Sequence, residues 1–328
     1  MVIKIKLYVN KRKMGIKNLN RFLRVNCPQN IRQISLWDLR GKTIVIDASI
    51  YMYRFQTDNS LIEGIYQMVA LLEHCKIKPI FVFDGPPPPE KADTLKKRKE
   101  EKQAAEREYK RVSDVLRNCG PDDDTSDLEA EIDNLRKQFV RLTQDDIDNV
   151  KHLLQLMGIS YYESEGESDY VCAKMVKKKI AFACMSEDMD MFVYGCPKVL
   201  RYLSLLKSTV VIYDLKGILK TLKLTHNNFK QICVLSGTDY NNSENTTYDL
   251  NKVLKYYSKY CKNSDLDKGD FHNWICEYTT NINYNNLNNV YNMFDLTKYS
   301  INKKNLVETN KETKKMELFL YKYGFVFV

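Results

Sequence analysis

Three hundred and twenty-eight residues leave room for one large domain or two ordinary ones, and 44% apolar residues exclude a globally disordered chain. The longest apolar runs, such as Thr43 to Ile46 and Ile180 to Cys184, are far too short to cross a bilayer, so no membrane role is expected. Lysine and arginine exceed aspartate and glutamate by 51 to 42, a net +9 that suits a polyanionic partner without requiring one. Nine cysteines with no Cys-x-x-Cys pair argue for reduced thiols in an intracellular compartment, against a disulfide framework or a zinc site. No charged-then-apolar leader opens the chain, so secretion is not expected.

Residues 1–24 hold eight basic residues and no acid. Within them, Met14 to Val25 places Ile16, Leu19, Phe22 and Leu23 at helical spacing. Thr43-Ile-Val-Ile-Asp47 then reads as a buried strand ending on a carboxylate. A helix follows, with Ile62, Ile65, Tyr66, Val69 and Leu72 on one face. Ile77 to Phe83 is a second buried strand, ending at Asp84, and Gly85-Pro-Pro-Pro-Pro89 breaks the chain before the next helix.

From Glu90 to Arg117 the pattern is helical but has almost no apolar stripe, so this helix is expected to stand in solvent. Residues 91–117 carry ten basic and six acidic groups, and Asp122 to Asp133 carries seven acids and no base. Each block alone reads as a solvated face; nucleic-acid binding is the better reading only if the basic block flanks a catalytic centre. Leu128, Ile132, Leu135, Phe139 and Leu142 return at three-four spacing. Thr143 can cap the next helix with Asp146; that helix carries Ile147, Val150, Leu154 and Met157 and stops at Gly158.

A short strand, Ile159 to Tyr162, leads to Glu165-Gly-Glu-Ser-Asp169 at the mouth of another helix. Ile180 to Cys184 is a third buried strand, followed by Ser186-Glu-Asp-Met-Asp190. Val210 to Tyr213 is strand-like, and the remainder reads as helical, with eighteen asparagines between 225 and 310 that reflect composition rather than chemistry. Alternating strands and helices predict an α/β fold: a largely parallel central sheet with helices on both faces.

In such sheets functional groups gather at the carboxyl ends of the strands. Asp47, Asp84 and the pair Asp188/Asp190 follow strands there, Glu167 and Asp169 open a helix, and Asp239 follows Ile232-Cys-Val-Leu-Ser-Gly-Thr. Singly, each has an ordinary alternative, a helix cap or an acidic turn. Together, seven converging carboxylates would repel strongly unless cations neutralise them. All-oxygen donors select Mg²⁺ or Mn²⁺, and so acidic a cluster could hold two ions for phosphodiester hydrolysis.

The ordered set of motifs resembles the flap endonuclease family, structure-specific 5′ nucleases of DNA replication and repair. Met14-Gly-Ile-Lys-Asn-Leu is similar to the family's opening, and Val45-Ile-Asp-Ala-Ser49 and Val82-Phe-Asp-Gly85 to its first two metal strands. Gly166-Glu-Ser-Asp169, Ser186-Glu-Asp-Met-Asp190 and Gly237-Thr-Asp-Tyr240 are similar to the remaining metal motifs. The resemblance implies that Asp47, Asp84, Glu167 and Asp169 surround one Mg²⁺, and that Asp188, Asp190 and Asp239 hold the second, with Asp169 bridging. The resemblance implies that Mn²⁺ can substitute in such sites.

It further implies a nuclease core over 14–224 that includes a helical arch over 91–144, and a helical region over 225–328 contacting duplex DNA, which leaves 1–13 as a basic N-terminal extension. Lys91 and Arg98, two helical turns apart, match the basic pair that neutralises the scissile phosphate in this family. Gly15 of the opening motif is matched to substrate binding. Tyr53 matches an aromatic that stacks on an unpaired nucleotide, although a core tyrosine fits that position equally well. DNA with a free 5′ end or 5′ flap is the implied partner of a monomer, at the site of DNA replication, the nucleus in a cellular eukaryote. No sliding-clamp motif is seen near the C-terminus. The competing readings are a metal-dependent RNase of related fold and a catalytically inactive DNA-binding scaffold.

The chain departs from the family pattern at four places. Thirteen residues precede Met14; Asp169 stands where Glu is commoner; and the Arg54 to Leu61 connection lacks the acidic run that lines a 3′-flap pocket. Asn241 to Asn251 replaces a glycine-rich hairpin, with Thr246, Thr247 and Tyr248 where a backbone nest would need glycine. Weaker anchoring to the duplex, with little dependence on K⁺ versus Na⁺, is therefore expected.

Overall fold

A continuous β-branched run is what a strand buried on both faces requires, because alternate side chains must enter two different cores. Thr43–Asp47 meets that condition: Ile44 and Ile46 enter one core and Val45 the other, all without solvent contact. In the computed structural model, which describes residues 16–118, 125–241, 248–263, 269–279 and 282–327, this segment is the middle of a single sheet. The basic extension 1–13, Gly15, Thr246 and Thr247 lie outside the described residues.

The strands are β1 (Ile31–Ser35), β2 (Thr43–Asp47), β3 (Lys78–Phe83), β4 (Tyr161–Glu163), β5 (Ala183–Met185), β6 (Lys198–Ser204), β7 (Thr209–Asp214) and β8 (Leu306–Val307). Their spatial order is β1-β7-β6-β5-β2-β3-β4-β8. From β6 through β4 every neighbour is parallel, while β7, β1 and β8 join the edges antiparallel. The five parallel strands therefore end at one edge, and the loops bearing Asp47, Asp84, Glu167, Asp169, Asp188 and Asp190 follow four of them there.

Helices cover both faces. Leu61–His74 and Gln144–Met157 pack over Ile44, Ile46 and Phe81, and Ser168–Lys177 packs over Val45, Val82 and Cys184. The Gln144–Met157 helix opens on the expected capping box of Thr143 and Asp146 and closes on Gly158 at φ 74°. The long helix Ala92–Arg117 buries only Ala105 and Val112. It packs against Ser126–Arg136, helped by the Tyr109 and Phe139 rings at 5.2 Å and an Arg141–Glu106 ion pair at 2.8 Å.

The structure differs from the sequence expectation in its edges. β5 begins at Ala183, because Lys179 turns the chain at φ 61° and leaves Ile180 47% exposed. The Ser126–Arg136 helix stops short of Leu142, since Phe139 is spent on Tyr109 rather than on a further helical turn. β1, β6 and β8 were not expected, and β8 lies in the part read as helical.

Helices His226–Leu235, Leu250–Lys262, Phe271–Tyr278 and Tyr284–Met293 extend the core that lies beneath Ser168–Lys177. The chain then returns to the sheet. Lys174 donates to the Leu296 carbonyl at 2.7 Å and to that of Tyr299, and the Tyr299 ring stacks on Tyr170 at 4.0 Å. β8 pairs with β4, and Met316, Phe319 and Leu320 of helix Thr313–Tyr321 enter the second core. Among the described residues no helix is long and apolar enough to cross a membrane.

Candidate metal centre

Asp47 is the last residue of β2 and sits at the start of helix Ala48–Thr57, yet its side chain caps no backbone N–H there. Its carboxylate instead accepts the Ser168 hydroxyl at 3.3 Å and the Ser186 hydroxyl at 3.0 Å. Asp84, one residue past β3 and exposed, accepts the Ser49 hydroxyl and the Ser168 backbone N–H at 2.7 Å. It thus caps the helix that Glu167 and Asp169 open, so the cap reading holds for Asp84 alongside its place in the cluster. Gly85 lets these loops meet. Its N–H donates to the Gly166 carbonyl at 2.6 Å, and a Cβ there would lie 2.3 Å from the Ser164 carbonyl oxygen.

Asp188 accepts the Asp190 N–H at 2.8 Å, and its own N–H donates to Ser186 at 3.1 Å. Asp190 opens helix Asp190–Val193, and its Oδ1 is buried without a hydrogen-bond partner. Asp239 lies past the His226–Leu235 helix, after Gly237 at φ 93°. It accepts Arg98 Nη2 at 2.7 Å and stands 3.7 Å from Lys91 Nζ. Lys91 also pairs with Glu167, whose second oxygen accepts the Tyr240 hydroxyl. Thr94, one helical turn beyond Lys91, donates to the Asp239 carbonyl at 2.6 Å. The start of helix Ala92–Arg117 is thereby pinned to the acidic edge.

The electrostatics follow from this crowding. Burial, then Asp84 and Asp188, push the Asp47 carboxyl up to about 8. Burial and neighbouring carboxylates also raise Asp169, Asp188 and Asp190 above the ordinary range. Burial alone would lower Lys91 and Arg98, but Glu167, Asp169 and Asp239 around Lys91, and Asp239 beside Arg98, hold both above their usual values. Two cations cannot balance seven carboxylates. Among the described residues no three of these side chains already form a closed ligating set. Even so, the all-oxygen donors and the orphaned Asp190 Oδ1 fit a hard divalent cation, which would supply the missing charge.

Two family models match this chain: the XPG N-terminal domain over residues 14–105 and the XPG I-region over 158–239. Flap endonuclease 1 of Encephalitozoon cuniculi is 34% identical over 244 residues, 69% of this chain and 68% of that protein. The chain belongs to the flap endonuclease family. Flap endonuclease 1 of Cryptosporidium muris is 32% identical over 258 residues, 69% of this chain but only 52% of that protein. The aligned chain thus spans between about half and two thirds of these relatives. Solved structures share the fold. The catalytic core of Rad2 in complex with DNA substrate gives a TM-score of 0.66 at 21% identity, covering 94% of this chain and 95% of that one. Flap endonuclease-1 from Methanococcus jannaschii gives 0.62 at 24% identity, covering 89% and 90%.

All seven acidic positions of the family motifs thus come to one edge, with Lys91 and Arg98 among them. Tyr53 is half-buried on helix Ala48–Thr57 and faces helix Ala92–Arg117, where Lys102 Nζ lies 5.0 Å from its ring centre. Sequence reading passed over Lys102, although it lies one turn beyond Arg98 on the same helix. It also passed over the hydroxyl pair Tyr194 and Tyr240, 2.9 Å apart. Tyr240 directly follows Asp239, the one signal that could have marked it.

The raised Asp47 carboxyl has a consequence for stability. A folded value near 8 against an unfolded value near 3.8 means that the native state binds the proton more tightly. Its contribution is full below the unfolded value and is lost as pH rises through the folded one. In EDTA, melting temperature should therefore fall between about pH 4 and 8. Mg²⁺ should stabilise most at the alkaline end, and Asp47→Asn should flatten the EDTA profile. A melting temperature that rises with pH in EDTA would show that the cluster carries no such strain.

Proposed function

We propose that this chain is a structure-specific 5′ nuclease that hydrolyses phosphodiester bonds of branched or nicked DNA with two divalent ions. The observation that carries this is the meeting of seven carboxylates with Lys91 and Arg98 at the base of a helical arch. Asp47, Asp84, Glu167 and Asp169 would hold one Mg²⁺, and Asp188, Asp190 and Asp239 the other, with Mn²⁺ able to replace them. Bound there, the ions would supply activated water and charge for the leaving oxygen. Lys91 and Arg98 would exchange their carboxylate partners for the scissile phosphate, neutralising charge that develops on it.

The Ala92–Arg117 helix, with its polar surface and Lys102 over Tyr53, suits a channel for a single-stranded 5′ end, with a base stacked on Tyr53. Residues 225–328 would meet the duplex, and Gly15 with the basic segment before it would lie towards the substrate. The protein would act as a monomer where DNA is replicated. Rad2 in complex with DNA substrate and GEN1 with product DNA and Mg²⁺ are structural relatives that support this reading. A metal-dependent RNase would have no need of the arch, and an inactive scaffold no need of so repulsive a cluster.

The test is purified protein with Mg²⁺ on labelled 5′-flap, nicked, gapped, single-stranded and RNA substrates. Cleavage of flap or nicked DNA at least tenfold faster than of RNA is expected. RNA cleaved fastest, or no cleavage with DNA bound, would select one of the two rivals.

A further inference from the structure

Two tyrosines behind the acidic edge have no part in the chemistry described so far. An ionised carboxylate can only accept a hydrogen bond, and a phenol has one proton to give. The Tyr240 hydroxyl therefore donates to Glu167 Oε2. Its 2.9 Å contact with Tyr194 must then run from the Tyr194 hydroxyl to the Tyr240 oxygen. The order Tyr194 to Tyr240 to Glu167 is fixed by this count. A phenol keeps its proton at neutral pH, so both hydroxyls can donate.

This relay joins three separate segments. Tyr194 ends the short helix that Asp190 begins, Tyr240 follows Asp239, and Glu167 opens helix Ser168–Lys177. Phe294 packs on both rings, with centroids 4.8 Å from Tyr194 and 5.4 Å from Tyr240, so neither phenol is free to swing. Among the described residues the Glu167 carboxylate has one other partner, the flexible ammonium of Lys91 at Oε1. A rigid two-torsion phenol can fix a carboxylate that a four-carbon amine cannot.

We propose that Tyr240, oriented by Tyr194, is a positioning residue that holds the Glu167 carboxylate in the attitude required to bind a divalent ion. The proposal rests on the two-metal reading above. It concerns metal affinity, and Tyr240 itself is no ligand. Hydrogen-bonding partners behind metal ligands commonly set affinity by about tenfold to a hundredfold.

The experiment compares wild type, Tyr240→Phe, Tyr194→Phe and the double variant, full chain without DNA, by calorimetric titration with Mn²⁺. Tyr240→Phe keeps the ring against Phe294 and removes only the oxygen. Its Mn²⁺ affinity should fall roughly tenfold to a hundredfold. Melting temperature in EDTA should stay within about 3 °C of wild type, and DNA affinity in EDTA should be unchanged. Tyr194→Phe should cost roughly twofold to fivefold, and the double variant should be no worse than Tyr240→Phe, because the relay acts through one hydroxyl. Wild-type Mn²⁺ affinity in Tyr240→Phe would overturn the proposal, whether or not its melting temperature falls. A wild type that binds no Mn²⁺ would overturn the two-metal reading and this proposal together, an outcome distinct from failure of the variant alone.

Discussion

Asp188→Asn is expected to slow cleavage by roughly a thousandfold or more, while DNA affinity measured in EDTA stays near wild type. The asparagine carbonyl can still accept the Asp190 N–H that Asp188 now accepts at 2.8 Å, so the loop keeps its shape. Only the charge is lost. Burial and Asp239 already push the Asp188 carboxyl up, so neutralising it should leave the metal-free protein as stable or more so. Neutralising one buried carboxylate removes no basic group that could meet a DNA phosphate, so binding is expected to persist. Excess EDTA should silence the wild type in the same way. Robust hydrolysis by the variant, or by wild type in EDTA, would sink the two-metal mechanism.

The second large effect belongs to Lys91 and Arg98. Lys91→Ala and Arg98→Ala should each lower the single-turnover rate by roughly tenfold to a thousandfold, with smaller effects on affinity. The structure adds a second readout. Lys91 is almost buried between Glu167 and Asp239, and Arg98 contacts Asp239. Removing either leaves a carboxylate with less compensation, so melting temperature should drop in EDTA and recover largely in Mg²⁺. Arg98 is the more exposed, and its effect on stability should be the smaller. If both variants cleave at the wild-type rate but bind DNA far more weakly, the pair serves only long-range attraction of the substrate.

Much of this was legible in the sequence because burial on two faces forces a continuous apolar run. β2 and β3 stood out for that reason, and the carboxylates followed from where those runs end. The capping box at Thr143 and the stop at Gly158 were legible because both are local. β1 and β6 were not, since Arg32, Lys198 and Arg201 interrupt any apolar run there. β8 is two residues long and exists only because β4 offers it an edge. The Tyr194–Tyr240–Glu167 chain was invisible for a different reason: its members lie 46 and 73 residues apart, and no periodicity links them. Asp84 shows the limit of pattern reading in the other direction, since it serves as a helix cap and a member of the cluster at once.

The return of residues 294–320 to the sheet also has a kinetic meaning. Phe294 seats Tyr194 and Tyr240, Tyr299 lies on Tyr170, and Val307 pairs with Tyr161 across a separation of more than a hundred positions. Such long-range closures are slow, because chain entropy is spent before the contacts repay it. During synthesis the acid-bearing loops would emerge well before the segment that braces them. The acidic edge is therefore among the last parts of the molecule to become rigid. A nascent chain on the ribosome would carry the acidic loops without their aromatic brace.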